Sequence, residues 1–148
     1  MDVLTAEQRR QCMARIKGRN TKPEVLLRKA LWKRGLRYRL HDRSLPGTPD
    51  LVLPRFRAVV FVHGCFWHWH ECALFVVPAT NTEFWMGKIG GNRERDRRAE
   101  TALRSAGWRV CTVWECALRG PERADVDIVA DRVAGWLRSR RETLSLPK

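Results

Sequence analysis

No apolar run in the 148-residue chain is long enough to cross a bilayer. The first ten residues also lack the apolar stretch of a secretory signal. Both absences point to a cytoplasmic protein without a membrane role. A paired cysteine set is missing too: Cys12, Cys65, Cys72, Cys111 and Cys116 make five. An odd count in a reducing compartment argues against a disulfide framework. There is no internal repeat, no linker and no sign of a second domain, so residues 1–148 are expected to form one domain. Acidic residues are scarce, 16 against 29 basic ones, which leaves a net charge of +13. That excess says nothing about fold but predicts attraction to polyanions. A membrane surface would call for a helix with a clean apolar face, and the basic helices here carry acids as well. Nucleic acid is therefore the expected partner, placing the protein near the nucleoid, and the charge suits a monomer embracing DNA.

Apolar residues make up 44% of the chain, enough for a globular core. Thr5 with Gln8 and Thr21 with Glu24 match the reciprocal capping pattern at helix starts. They predict a basic helix from Ala6 to Lys17, within a basic arm over residues 1–20. A second helix should run from Lys22 to Arg34 with Val25, Leu26, Ala30 and Leu31 on one side, stopped by Gly35. Leu36, Tyr38 and Leu40 alternate with Arg37, Arg39 and His41, the period of a half-buried strand. Asp50 to Leu53 reads as a short strand ended by Pro54. Ala58 to Val62 is a β-branched apolar run, expected as a central strand. Residues 63–82 show no period. A helix over Lys88–Ala106, a strand over Trp108–Trp114 and a helix capped by Asp125 follow, with Val126, Val129, Val133, Trp136 and Leu137 facing the core. The tail beyond Arg140 is expected to be loose. This order predicts an α/β fold with a mixed central sheet flanked by helices.

Cys65, His68, His70 and Cys72 fall within eight residues, and Cys116 follows a strand. Zinc favours thiolate and imidazole in a closed tetrahedron. Cys65, His70, Cys72 and Cys116 would pin the irregular loop to the end of the last strand. The alternative is a set of buried cysteines packing as small apolar groups, and His68 could stand in for His70. Cys12 and Cys111 fit neither pattern.

Asp50 opens a strand and His63 closes the next. If those strands pair, both lie at one sheet end, with His68 arriving from the loop and Glu24 projecting from the second helix. Carboxylates of this kind hold magnesium, which polarises a phosphate and activates water; a histidine can take the proton. Each residue has a plainer explanation: a capping glutamate, a turn aspartate, a capping histidine. His41 reads as a surface residue.

Seven tryptophans exceed what a core this size normally needs. Trp32, Trp108, Trp114 and Trp136 fall on regular elements and are expected in the core. Phe66, Trp67, Trp69 and the Phe84-Trp85 pair lie in polar surroundings, placed either to stack on bases or to form a satellite core around the metal. Arg9, Arg10, Arg15, Lys17 and Arg19, with Arg93, Arg95, Arg97, Arg98 and Arg104, form two basic runs suited to phosphate contact.

Longer strings are more specific. Ser44-Leu-Pro-Gly-Thr-Pro-Asp50 and Phe61-Val-His-Gly-Cys-Phe-Trp-His68 closely resemble the very-short-patch repair endonucleases. So do Val77-Pro-Ala-Thr80, Thr82-Glu-Phe-Trp85, Arg93-Glu-Arg-Asp-Arg-Arg98, Gly107-Trp-Arg-Val110 and Val113-Trp-Glu-Cys-Ala-Leu-Arg119. The resemblance spans roughly Arg15 to Arg119. It implies a restriction-endonuclease-like core and a nick 5′ to the thymine of a T:G mismatch, the product of 5-methylcytosine deamination. It further implies that Asp50 ligates magnesium, with Glu24, His63 and His68 completing the catalytic group. The backbone carbonyl of Val62 would be a further magnesium ligand. Cys65, His70, Cys72 and Cys116 would hold zinc, and Phe66, Trp67 and Trp85 would wedge into the duplex. Lys88 and Asn92 would lie near the mismatched bases, with Arg93 and Arg97 on DNA. Other repair proteins are possible partners.

Three departures stand out. The wider nuclease superfamily often carries acid-x-lysine on the second core strand, where this chain reads Phe61-Val62-His63, in agreement with the repair family. Val62 replaces a threonine of some relatives. Trp69 and Glu71 replace histidines of a longer histidine run. Two other readings remain open: a nickase of the same fold with another mismatch, modified base or context, and a zinc-bearing DNA-binding module without catalysis.

Overall fold

The computed structural model describes residues 20–147. The expected helix from Ala6 to Lys17, its basic residues and Cys12 lie outside the described residues. Helix α1 (Lys22–Lys33) starts where the Thr21 hydroxyl accepts the Glu24 N–H at 3.5 Å, with Pro23 in the first turn. It ends at Gly35, whose φ of +82° closes the turn. Its buried stripe is Glu24, Leu27, Ala30 and Leu31. The expected face is thus corrected: Leu26 is exposed and Leu27 takes its place.

Strands β1 (Arg39–Leu40), β2 (Leu51–Leu53), β3 (Ala58–His63), β4 (Arg109–Trp114) and β5 (Thr143–Leu146) form one sheet in sequence order. The β1–β2 and β2–β3 pairs are antiparallel; β3–β4 and β4–β5 are parallel. Helix α2 (Thr82–Ser105) crosses from β3 to β4, and helix α3 (Val126–Leu137) from β4 to β5. β3 is buried on both faces, as its apolar run requires. On one face Ala58 and Val60 pack with residues of α1, α3, β4 and β5; on the other Val59 and Phe61 pack with Leu103 of α2 and Val110. A mixed sheet flanked by helices is therefore the observed architecture. Among the described residues no helix is long and apolar enough to cross a membrane.

Several expectations change. The strand expected from Leu36 shrinks to β1, because its partner β2 ends at Leu53 before the turn at Pro54; Tyr38 ahead of it donates its hydroxyl to Arg28 O at 2.9 Å. The α2 start moves from Lys88 to Thr82. Glycines at 87, 90 and 91 weaken the helix pattern, and a Cβ at Gly90 would make only an ordinary contact with the Trp69 ring, at 3.4 Å. Trp32 is 49% exposed rather than core; Arg37 stacks 3.6 Å above its ring.

The tail expected to be loose is corrected as well. Thr143–Leu146 pairs with β4, and Leu144 and Leu146 are buried while Thr143 and Ser145 are exposed. Its anchor is Arg109, whose guanidinium donates to the carbonyls of Trp136, Leu137, Ser139 and Arg141. Burial of two leucines, at about 1.5–3 kcal/mol each, works together with the β4 pairing and the Arg109 hydrogen bonds to offset the ordering of these residues.

Candidate functional site

The site follows from strand direction. In the antiparallel β2–β3 register Leu51 faces Val60, so the start of β2 lies beside the end of β3. In the parallel β3–β4 register His63 faces Trp114. The start of β2 and the ends of β3 and β4 therefore share one sheet edge, where loops 64–81 and 115–125 also emerge. The turn into β2 is close-packed: Gly47 has φ +75°, and a Cβ there would stand 2.8 Å from Ala99 and 3.2 Å from Phe61.

Asp50 is fixed first. Its Oδ2 accepts the Val62 N–H at 2.7 Å, locking the carboxylate against the end of β3. Glu24 is 1% exposed, and its Oε1 accepts the Asn20 N–H at 3.0 Å, while Oε2 accepts from Arg28 Nη1 at 2.8 Å. Glu24 thus reaches back past its own cap and also stands beside Asp50. His41 joins them, with Nε2 2.8 Å from Glu24 Oε2 and 4.0 Å from Asp50 Oδ1. The surface assignment of His41 is overturned: φ at His41 is +50°, a left-handed turn that brings the ring back to the carboxylates. Nothing in an alternating strand pattern signals such a turn. Burial pushes the Asp50 carboxyl up to about 8, the Val62 N–H opposing and Glu24 adding to the rise. Ligand atoms of Glu24, His41 and Asp50 lie within 4.8 Å of one another, a set that could hold a cation.

Across Val62 stands a second group. The rings of His63 and His68 stack at 3.9 Å, 5° from parallel. His68 Nδ1 is 2.5 Å from Asp96 Oδ2. The carboxylate can only accept, so the ring proton sits on Nδ1 and Nε2 carries the lone pair in the neutral ring. His63 is buried and its Nδ1 has no partner. Burial, with His68 beside it, pulls His63 down to about 3 against the pull of Asp96, so this ring stays neutral. Asp96 escapes local sequence reasoning: it lies 28 residues from His68 amid arginines, and only the packing of α2 on the sheet joins them.

A cleft of about 910 Å³ opens here, lined by Val62, His63, His68, Phe66, Trp67, Lys88 and Asn92 among others. Asp50 is not among the lining residues and meets the cleft through its bond to the Val62 N–H. Phe66, Trp67 and Trp85 form an edge-to-face cluster with centroids 5.1–6.1 Å apart. Asn92 Nδ2 donates to Trp67 O at 3.1 Å, and Lys88 Nζ lies 5.8 Å from the Trp85 ring. Trp69 stacks on Phe75 and carries Arg93 5.6 Å from its ring. Arg97 is exposed, 3.9 Å from Glu94.

Cys65, His70, Cys72 and Cys116 also converge within 4.8 Å. His70 Nδ1 lies 3.6 Å from Cys65 Sγ and 3.5 Å from Cys116 Sγ. One ring nitrogen cannot hydrogen-bond two thiols well. Both distances match tetrahedron edges: arms of about 2.3 Å to sulfur and about 2.0 Å to nitrogen subtend roughly 3.5 Å. Burial pushes the Cys65 thiol far up and Cys116 to about 11, so a bound cation is what would favour thiolates here. The His70 ring stacks on Trp114 at 4.3 Å, and Glu115 Oε1 accepts the Cys65 N–H at 3.2 Å, tying the loop to the end of β4. Glu115 falls inside one of the strings that carry the family resemblance, but its contact with the loop is not among the roles expected from sequence.

The family model described as "DNA mismatch endonuclease Vsr" matches residues 1–74. The DNA mismatch endonuclease Vsr of Escherichia coli (strain K12) is 49% identical over 136 residues, 92% of this chain and 87% of that protein. The type II nicking enzyme V.XorIIP of Xanthomonas oryzae pv. oryzae is 49% identical over 117 residues, 79% of this chain and 86% of that protein. The type II nicking enzyme V.HpaIIP of Haemophilus parainfluenzae is 43% identical over 131 residues, covering 86% and 93%. A family model over half of the chain and 49% identity along nearly all of it leave one conclusion: the chain belongs to the DNA mismatch endonuclease Vsr family.

Proposed function

We propose that the protein nicks one strand of duplex DNA, 5′ to the thymine of a T:G mismatch, on a restriction-endonuclease-like core. The observation that carries this reading is the meeting, across Val62, of a carboxylate pair and a histidine pair beside an aromatic-lined cleft. Asp50 and Glu24, with the Val62 carbonyl, are the groups assigned to magnesium. Bound there, magnesium would supply Lewis-acid stabilisation of the phosphate and lower the pKa of an attacking water. The chain's own residues do the rest. Asp96 holds His68 in the tautomer whose Nε2 can accept a proton, which makes His68 the general base. His63, kept neutral by burial, avoids placing a second positive charge against His68 when that ring takes the proton.

Phe66, Trp67 and Trp85 are assigned to a wedge entering the base stack at the mismatch, a role their partial exposure and mutual edge-to-face support suit. Lys88 and Asn92, which brace Trp85 and Trp67, would stand closest to the mismatched bases. Arg93 and Arg97 extend the same helix toward phosphates. Cys65, His70, Cys72 and Cys116 are assigned to a structural zinc that fixes the wedge loop. The protein would act as a monomer on nucleoid DNA.

The test uses end-labelled duplexes with one T:G pair in varied flanks, with magnesium or EDTA, beside matched T:A and C:G duplexes. The expected product is a magnesium-dependent nick just 5′ to the thymine. Equal rates on T:G and matched duplexes would reject mismatch selectivity. Mismatch-selective binding with no break in any context would reject catalysis.

A second reading has one specific support. Relatives of similar identity are named as type II nicking enzymes as well as mismatch endonuclease, so identity does not separate targets. The same chemistry in another flanking sequence or on another mismatch would appear in that assay as a shifted context preference.

A further inference from the structure

We infer that His41 is a positioning residue for the cation-binding carboxylates, donating from Nε2 to Glu24 Oε2 and so holding Glu24 beside Asp50. The inference rests on the reading that Glu24 and Asp50 face a divalent cation, and adds a residue that the family's motifs did not bring into the site.

Two carboxylates brought this close in a buried place repel each other. Glu24 is quieted by three donors: the Asn20 N–H at 3.0 Å, Arg28 Nη1 at 2.8 Å and the His41 ring at 2.8 Å. Because Glu24 is already taking hydrogen bonds from Asn20 and Arg28, the imidazole nitrogen is the donor. Among the described residues, the Asp50 carboxylate takes the Val62 N–H on Oδ2, while Oδ1 has no hydrogen bond. The division is unequal: Glu24 is fixed, and Asp50 Oδ1 is left for the ion.

The backbone of His41 serves the same end. Its N–H donates to the carbonyl of Asp50 itself at 3.1 Å, and its φ of +50° is a conformation that non-glycine residues rarely hold. A strained residue anchored to the residue whose site it completes is the expected form of a preorganised contact. Arg28 reaches Glu24 from within α1, whereas His41 alone reaches from the sheet side. Both meet the same oxygen, Oε2, so without His41 that oxygen keeps only the pull of Arg28 along its own helix and loses its contact from the end of the strand that pairs with β2.

The test compares His41→Ala with His41→Gln. Both replacements carry a similar backbone penalty at φ +50°, but only glutamine places an N–H donor near the position of Nε2. Manganese(II) binding to the full chain without DNA is measured by calorimetry, and nicking is followed against magnesium concentration. Partners behind metal ligands typically change affinity by about 10–100-fold. His41→Ala should therefore weaken manganese binding by about tenfold or more. It should raise the magnesium needed for half-maximal nicking alike, with a smaller change in the saturating rate. His41→Gln should restore most of both. Equal manganese affinity in wild type and His41→Ala would overturn the inference, as would a glutamine variant no better than alanine. Nitrogen-14 coupling to bound manganese, absent from His41→Ala, would overturn it too, making His41 a direct ligand instead. If wild type binds no manganese at all, the carboxylate reading itself fails. Should the alanine variant not fold, glutamine against wild type still decides: a loss of tenfold or more rejects donation as the role.

Discussion

At the scale of single residues, each titratable group of the candidate site is held by a neighbour. Asp96 and His68 are the clearest case. Asp96→Asn offers the ring an amide in place of a carboxylate and permits the wrong tautomer. We expect the saturating nicking rate to fall by about 10²–10⁴, the usual worth of a general base, with DNA binding little changed. Loss of binding in equal measure would instead mark Asp96 as a fold residue. Asp50 gives a pH prediction. Its carboxyl, raised from 3.8 to about 8, holds a proton that any cation must displace. Manganese or magnesium affinity should therefore climb as pH rises toward about 8 and flatten above it; a flat profile from pH 6 to 9 would contradict the burial argument. Stability of the metal-free protein carries opposite signs at two residues. The folded state holds the Asp50 proton more tightly than the unfolded chain, so that contribution is full below about 4 and is lost as pH rises through about 8. His63 is depressed from 6.5 to about 3, so its contribution is present above 6.5 and is lost as pH falls toward 3.

At the scale of elements, the last strand and the Cys3His set decide stability. Leu144 is buried on β5, and Leu144→Ala should cost about 2–5 kcal/mol, the range for leucine truncation in a core. For a chain of this length that corresponds to a fall in Tm of roughly 6 °C or more. A change under 2 °C in thermal denaturation would mean that β5 is not held against β4 in solution. The loop from Gly64 to Asn81 has little backbone pairing of its own, and the proposed zinc ligands would tie it to β4 and the short turn after it. Cys72→Ser, or strong chelation, should release one metal equivalent by atomic absorption, lower Tm and abolish mismatch preference, because Phe66 and Trp67 lie inside that loop. Retention of all three properties would leave the cysteines as buried apolar packing.

At the scale of the whole molecule, charge and shape act together. A net charge of +13 favours sequence-independent attraction to DNA, and discrimination is the role proposed for the aromatic cleft. Log affinity should fall linearly with log salt at about −0.9 per phosphate neutralised, on matched and mismatched duplex alike. Trp67→Ala should leave that slope in place while shrinking the ratio between the two duplexes. A salt-independent affinity would remove the phosphate contribution from the account.

Much of this was written locally. The central strand from Ala58, the caps at Thr21 and Asp125, and the cysteine–histidine cluster are short-range patterns, because hydrogen-bond caps, apolar runs and ligand spacing act between near neighbours. Trp32 and the tail were misjudged for the opposite reason. Whether an apolar side chain meets solvent or β4 depends on what packs across from it, and the Thr-Leu-Ser-Leu alternation is too short to announce a strand. His41, Asp96 and Glu115 were illegible as site residues. Each acts on a partner 17, 28 or 50 residues away, brought near only by strand register and helix packing. The sequence by itself determined the chemistry available: carboxylates, imidazoles, thiols, wedging aromatics and a basic surface. The tertiary structure alone decided which of them share a site and in what protonation state, because burial, tautomer and charge pairing are properties of the assembled sheet edge and not of any one segment.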